Sequence, residues 1–435
     1  MSAHPGGPAT AAPGPRHGRR RMVRTVTVVA SCLAVLAAAV VVGVRALGRE
    51  PAVTLLANWT GGDERHFREA VIEPFERKYG VRVDYQGSNA ESQVLGADVE
   101  AGTPPDVVVL TGPGELAEYA RLKHLVPLDD LVRREDFGPS WSTPLADGHV
   151  YWFPLKADVK SIVWYPAGLG ERELRQAARR PDAWCVGMGS GATSGWPGTD
   201  WIEDILLQRH GPAVYERWAR GDLSWRSPQV RSAWTAWRDL VGAGGDPDLV
   251  RRALKTPYQS ASDPVTAHPR GCTLEHQASF IRDRPAWRQA DGRYISSAEL
   301  ILGASAPRAW EVSGDLVTLL HDTPQARKLI RYLASADAQR AWAEGESGFS
   351  VHAGLPPAAD GSGWHRSLAR ALRDERTAHC FDASDAMPPA VRDAFAEAAI
   401  EFLAHPGRLD RLLRSLDALG RTRGLTWLPS VCDRT

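Results

Sequence analysis

The stretch from Val53 to Leu122 reads VTLLANWTGGDERHFREAVIEPFERKYGVRVDYQGSNAESQVLGADVEAGTPPDVVVLTGPGELAEYARL, and its succession of elements decides the fold class. Val53 to Ala57 is a short apolar strand, followed by the loop Asn58-Trp59-Thr60-Gly61-Gly62. Phe67, Val71, Phe75 and Tyr79 then recur every four positions, the pattern of one helix face, and Gly80 ends the helix. Val81 to Tyr85 alternates as a strand does, a helix runs from Ala90 to Ala101, and Asp106 to Leu110 (DVVVL) is a buried strand set off by Thr103-Pro104-Pro105. Thr111-Gly112-Pro113-Gly114 opens a further helix, Glu115 to Leu122. Strands alternating with helices predict a parallel α/β sheet, in which ligands sit at the C-terminal strand ends, here the Trp59 and Gly112 loops.

Further along, Tyr151 to Leu155 and Val159 to Tyr165 read as strands separated by Lys156-Ala157-Asp158, a crossing to a second lobe. That lobe is expected to begin with a strand at Ala183 to Met188 and the glycine-rich loop GSGATSGWPGT, entering a helix near Asp200 that stops at Gly211-Pro212. Helical patterns fill Pro228 to Leu254, Cys272 to Ile281 (CTLEHQASFI) reads as strand and loop, and Thr323-Pro324 starts one long helix through Leu329, Leu333 and Trp342. A chain of 435 residues exceeds the usual size of one core. Two lobes are expected, residues 51–158 with 315–348 and residues 159–314 with 349–435.

The N-terminus sets the compartment. Residues 1–22 are rich in Pro, Gly and Ala and end in Arg16, Arg19, Arg20 and Arg21, a disordered basic tail that cannot build a core. Val23 to Val44 is apolar beyond Arg24 and about the ~20 residues that span a bilayer. Basic residues before it keep that end in the cytoplasm and place the body outside, as a single-pass anchored protein of the cell membrane. Two rivals remain: cleavage of a secretory signal, and lipidation of Cys32, since Val29-Ala30-Ser31-Cys32 fits a lipobox. All three put the body outside the cytoplasm. The remaining cysteines, Cys185, Cys272, Cys380 and Cys432, are an even set in an oxidising setting, and sequence alone leaves three pairings open.

Composition excludes some functions. The 52 basic residues are matched by 52 acidic ones, so no basic face for nucleic acid is expected. The 16 Trp outnumber the 9 Phe and the 9 Tyr, which suits a protein presenting flat apolar faces with a polar edge. Neither a phosphate loop, a zinc-protease helix nor a Gly-x-Ser-x-Gly elbow occurs. The glycine-rich loop has no Lys or Arg to support a phosphate, and the histidines lack metal-ligand spacing. Glu203 and Asp204 point in different directions on a helix, cannot flank one glycosidic bond, and read as a solvated face.

The order of LANWTGGDERHFREAVIEPFERKYGVRV, GTPPDVVVLTGPGELAEYARLKHLVPLDD, VYWFPLKADVKSIVWYPAGL, WCVGMGSGATSGWPGTDWIEDILLQRHGPAVYERW, CTLEHQASF, SGDLVTLLHDTPQARKLIRYLASADAQRAW and FDASDAMPPAVRDAFAEAAIEFL resembles the family-1 extracellular solute-binding proteins of bacterial ABC importers, in particular their α-glucoside-binding branch. The resemblance covers Pro51 to about Leu419. It implies a two-lobed α/β clamshell of the periplasmic-binding-protein type, without catalysis or cofactor, that closes as a monomer around a carbohydrate and delivers it to permease subunits. An anchored sensor with the same clamshell is the alternative reading, and an extracytoplasmic glycoside hydrolase the third.

Carried over residue by residue, the resemblance implies Trp59 and Thr60 after the first strand, and Gly112 and Pro113 after DVVVL, as ligand contacts of lobe 1. The hinge would pass through Lys156 to Asp158 and again near Gly314 and Asp315. Lobe 2 would offer Trp196 and Asp200, with Glu275 and Gln277 as fixed acceptors. Asp200 suits a helix cap equally well. Trp164 and Trp201, inside a strand and a helix, are expected in the core. The resemblance also pairs Cys185 with Cys272 and Cys380 with Cys432. One departure stands out: Phe395-Ala396 occupies the region after Met-Pro where sugar binders of this superfamily often carry an aromatic pair.

Overall fold

The computed structural model describes residues 51–138, 141–304, 309–344, 348–356 and 363–434. The tail at 1–22 and the apolar run at 23–44 lie outside the described residues; among those described, no helix is long and apolar enough to cross a membrane. The strands are β1 (Ala52–Ala57), β2 (Arg82–Gly87), β3 (Val107–Leu110), β4 (Trp152–Val159), β5 (Ile162–Tyr165), β6 (Glu275–His276), β7 (Arg293–Ser296), β8 (Ala309–Leu319) and β9 (Ala378–Phe381). One sheet has the order β2-β1-β3-β8-β4 with β9 also on β8, and a smaller one has the order β6-β5-β7.

The parallel sheet expected from the first strands holds for β1, β2 and β3, but β8 and β4 continue it antiparallel. All four residues of β3 are buried, because helices cover both faces, so its sequence is a continuous apolar run. The first helix carries its apolar residues four apart, slightly wider than 3.6 per turn. A π-helical turn at Arg68–Ile72 between Gly61–Phe67 and Glu73–Tyr79 absorbs the difference, and Phe67, Val71 and Phe75 are all buried. Gly80 closes the helix with a φ of 60°, where a side chain would be strained.

Several boundaries differ from the sequence reading. β4 continues through Lys156-Ala157-Asp158, because β8 supplies partners there after a register shift between Pro154 and Lys156, and the break comes at Lys160-Ser161. Residues 183–188 form no strand, only isolated bridges from Trp184 to Leu274 and from Gly189 to Pro257. The helix expected near Asp200 begins at Trp196, with Pro197 in its first turn and Gly195 as N-cap. Asp200 is therefore no cap. Cys272 to Ile281 contributes only the two residues of β6. The long helix after Thr323 is two, Pro324–Leu333 and Ala336–Ala343, because the Ser335 hydroxyl accepts the Ala338 N–H and starts a new helix.

Beyond the crossing strands, the core rests on aromatic rings. Trp218, Trp234 and Trp237 are fully buried, and Phe395 lies 5.7 Å from Trp218 and 5.6 Å from Trp234 between ring centres. Phe395, in the region after Met-Pro, is thus core. Trp164 and Trp201 are buried as expected. Glu203 and Asp204 are not a solvated face: both are 0% exposed. The helix Trp196–His210 is covered on every side in its middle, so it has no wet face to give them.

Cys185 is bonded to Cys272 and Cys380 to Cys432, closing sequence separations of 87 and 52. Replacing either pair by Ser should lower the unfolding free energy by about 2–4 kcal/mol. Denaturant titration alongside free-thiol mapping checks this; free thiols at these positions in the oxidised protein would contradict the pairing.

Candidate functional site

The site is built where β4 and β8 cross the molecule. Leu316–Leu319 of β8 pair with β3, Ala309–Val312 pair with β9, and β4 lies along both. In the gap, Lys156 faces Asp315, Ala157 faces Gly314 and Asp158 faces Ser313. Side chains alternate along strands, so Lys156, Asp158, Ser313 and Asp315 share one face. Gly314 is on the other, where a side chain would meet the Lys156 carbonyl at 2.7 Å and the Trp141 ring at 2.8 Å.

This polar stripe is buried and internally paired. Lys156 Nζ lies 3.4 Å from Asp158 Oδ2, and the Ser279 hydroxyl donates to Asp158 Oδ1 at 2.6 Å. Burial pushes the Asp158 carboxyl up to about 6 against the pull of Lys156, so it stays largely ionised at neutral pH. Burial works against the Lys156 ammonium, but Asp158 and Asp315 outweigh it and raise its pKa. Asp315 accepts the Asn58 amide at 2.7 Å and the Trp59 indole N–H at 3.0 Å.

Four residues further along the chain, Lys160 bridges Asp200, at 3.1 Å, and Asp382. Its Nζ also lies 5.7 Å from the Trp196 ring centre, and Lys156 Nζ lies 5.7 Å from that of Phe280. Trp196, Tyr258 and Phe280 are all partly exposed. Tyr258 meets Trp196 edge-on at 4.8 Å, and Phe280 lies 6.4 Å from Trp196 and 6.3 Å from Tyr258. Two ammonium groups thus approach a three-ring surface at cation–π distances. Such a surface can hold a flat apolar face of a solute while the paired charges meet its polar edge.

The residues expected from sequence divide into groups. Lys156, Trp196, Asp200, Gly314 and Asp315 come together around this crossing. Trp59 is only 4% exposed, its ring 4.7 Å from both Phe67 and Trp342, so it offers its N–H to Asp315 and no free ring face. Thr60 caps the first helix, with its hydroxyl 3.3 Å from Asn89. Gly112 and Pro113 are buried in a corner packed against Asp385 to Arg392, where Arg392 pairs with Glu115 at 2.9 Å.

Glu275 and Gln277 are buried and already engaged. Glu275 accepts the Trp287 indole N–H at 2.5 Å, while Gln277 accepts the Ala278 N–H through its side chain and the Trp164 indole through its carbonyl. The same segment reaches the crossing two residues later, through Ser279 and Phe280. Tyr258, Phe280 and Lys160 escaped the sequence reading; the only signal was an aromatic residue in a short loop beside a segment already singled out.

Paired α/β sheets joined by two crossing strands, with partly exposed rings and polar groups at the crossing, define a two-lobed binding protein. The family model for bacterial extracellular solute-binding proteins matches residues 61–340. The chain is 30% identical over 404 residues to the alpha-glucosides-binding periplasmic protein AglE of Rhizobium meliloti (strain 1021), covering 82% of this chain and 84% of the relative. It is 30% identical over 370 residues to the osmoprotective compounds-binding protein GgtB of Synechocystis sp., covering 78% and 85%. A solved chitin oligosaccharide binding protein superposes with a TM-score of 0.68 at 18% identity, covering 86% of this chain and 98% of that one. The chain belongs to the bacterial extracellular solute-binding proteins.

The same geometry sets a pH dependence. Burial pushes the Glu275 carboxyl from an ordinary 4.5 up to about 8, although the Trp287 N–H opposes the shift. The folded protein keeps a proton that the unfolded chain gives up, so this residue's contribution to stability falls as pH rises between these two values. Urea midpoints from pH 5 to 8 should decline more steeply for the wild type than for Glu275→Gln. Parallel profiles would remove Glu275 as the source.

Proposed function

We propose that the protein is the extracytoplasmic receptor of an ABC importer, binding an α-glucoside or small oligosaccharide by lobe closure and handing it to the permease. The observation that carries this reading is the surface of Trp196, Tyr258 and Phe280 flanked by Lys156 and Lys160. Sugars expose C–H patches on their faces and hydroxyls at their edges, so a sugar site needs flat rings and fixed hydrogen-bonding groups side by side. The name of the AglE relative, which binds α-glucosides, supports the same class of ligand.

In this reading residues 51–158 with 315–348 form one lobe and residues 159–314 with 349–435 the other. Lys156 to Asp158 and Ser313 to Asp315 form the hinge. Trp196 and Asp200 contact or border the ligand directly, and Asp315 presents a carboxylate that Asn58 and Trp59 hold in place. Thr60, Gly112, Pro113, Gly314, Glu275 and Gln277 shape the walls that carry these groups. A ligand held by both lobes binds the closed form better, and shifts the hinge by that difference in affinity.

Trp196→Ala should weaken binding by about 1.5–3 kcal/mol while leaving the unliganded melting temperature nearly unchanged. A thermal-shift screen of sugars followed by calorimetry on the best one reads this, and small-angle scattering reads closure. If the substitution collapses the unliganded fold and the folded fraction binds as before, Trp196 is core and the site lies elsewhere.

We further propose that Val23 to Val44 stays uncleaved and holds the body at the cytoplasmic membrane. Met1, or the residue after it, should then be recovered at the N-terminus of protein that resists a high-salt wash of membranes. A mature N-terminus at a lipidated Cys32 would replace the span with a lipid anchor.

A further inference from the structure

Behind Trp196, the helix Trp196–His210 turns Glu203 inward towards β8 and the turn that follows β9. Glu203, Glu311 of β8 and Asp382 each bring one carboxylate oxygen into a group whose members lie within 4.8 Å of one another. All three residues are 0% exposed. They come from three separate elements, so no local sequence pattern announces them.

Some of their oxygens are accounted for. Glu203 Oε2 accepts the N–H groups of Ala383, at 2.6 Å, and Ser384, at 3.1 Å, and lies 3.5 Å from the Tyr215 hydroxyl. Asp382 Oδ1 accepts the Ser384 hydroxyl and the Asp385 N–H, both at 2.8 Å, and Oδ2 takes the Lys160 ammonium. Within this trio, Glu203 Oε1 and both oxygens of Glu311 have no hydrogen-bond partner among the described residues. Lys160 already spans Asp382 and Asp200. His276, the neighbouring imidazole, is held by Asp204 at 2.8 Å.

A carboxylate taken out of water with nothing to neutralise it costs several kcal/mol, so this trio requires either protons or a cation. Burial, and then the neighbouring carboxylates, raise the proton affinity of Glu203 and Glu311. One proton shared between Glu203 and Glu311 would satisfy an oxygen of each and still strand the second Glu311 oxygen. A single cation can take all three.

We propose that Glu203, Glu311 and Asp382 form a buried site for a hard divalent cation, best suited to Ca2+. The donor set is oxygen alone, which selects Ca2+, Mg2+ or Mn2+ over metals that favour nitrogen or sulfur. Two oxygens bound to one ion at about 2.3–2.6 Å lie up to about 5 Å apart, a span that accommodates the observed spread. Glu311, with both oxygens free, can bind bidentately as Ca2+ permits, whereas Mg2+ demands a stricter octahedron and usually retains several waters. The ion would join the helix that carries Trp196 to the crossing strand β8 and to the turn at Asp382, behind the ring surface and apart from it.

The test uses the full-length chain, unfolded and refolded in chelator-treated buffer with or without Ca2+, then dialysed and measured by inductively coupled plasma mass spectrometry. About one Ca2+ per chain should remain, with a midpoint of thermal unfolding raised by about 5 °C or more. Glu311→Gln should retain no metal and show no response to Ca2+. Should that variant fail to fold, Tb3+ luminescence of the wild type, sensitised by Tyr215 and nearby indoles and quenched by added Ca2+, gives the same answer. Wild-type protein that refolds without metal, with a midpoint unmoved by Ca2+, Mg2+ or Mn2+, would overturn the proposal and leave the carboxylates neutralised by protons.

Discussion

The antiparallel pairing of β4 with β8 constrains everything else in the molecule. Both strands run through the interior, where each unpaired backbone N–H or C=O would cost about 1–3 kcal/mol, so neither can be interrupted without losing the other's ladder. β3 covers one end of β8 and β9 the other. Among the described residues the stretch of β8 from Ser313 to Asp315 lacks a strand neighbour on that side, and Lys156, Asp158 and Asp315 lie there, whereas Glu311 lies where β8 pairs with β9. A polar stripe at this point is tolerated because its members neutralise one another: Lys156 with Asp158, and Asp315 with the donors from Asn58 and Trp59.

Tryptophan serves two purposes here, and the environment of each ring decides which. Trp164, Trp184 and Trp287 are buried with their N–H groups placed on Gln277, Ala178 and Glu275, so the polar edge is satisfied and the ring fills space. Trp59 uses its N–H to hold a carboxylate at the strand crossing. Trp196 sits at the first position of a helix, where the chain has just emerged from a glycine-rich loop, and is partly exposed. Its neighbours Tyr258 and Phe280 are on separate segments, and the partly exposed surface exists only because those segments converge.

The buried charges are the costly part of the architecture. Lys160, Asp200 and Asp382 are each nearly inaccessible, and ion pairs so deep gain little net stability because desolvation offsets their attraction. What they provide is register: Lys160 fits only when the helix from Trp196 and the turn at Asp382 arrive at fixed positions relative to β4. Through its contact with the Trp196 ring, Lys160 passes that register to the candidate binding surface. Gly195 has a left-handed φ of 108° and leaves room for the backbone of Ala396, which fixes the start of the same helix from its other side.

By itself the sequence determined the alternation of strands and helices from Val53 to Leu122, the burial of DVVVL and the stop at Gly80, since these follow from local periodicity and backbone preference. The order of its segments also carried the family. Four cysteines in an oxidising compartment implied disulfides, but their pairing was read only through that resemblance. Tertiary structure alone decided which side chains meet. WIEDILLQ carries apolar residues on more than one face, a hint of a central helix, yet whether Glu203 and Asp204 face water depends on what packs around them. Trp59 and Trp196 likewise look alike as residues of glycine-containing loops. The nearby Phe67 and the distant Trp342 bury the first, and the second stays partly open, because exposure is set by which segments of the fold pack against each ring.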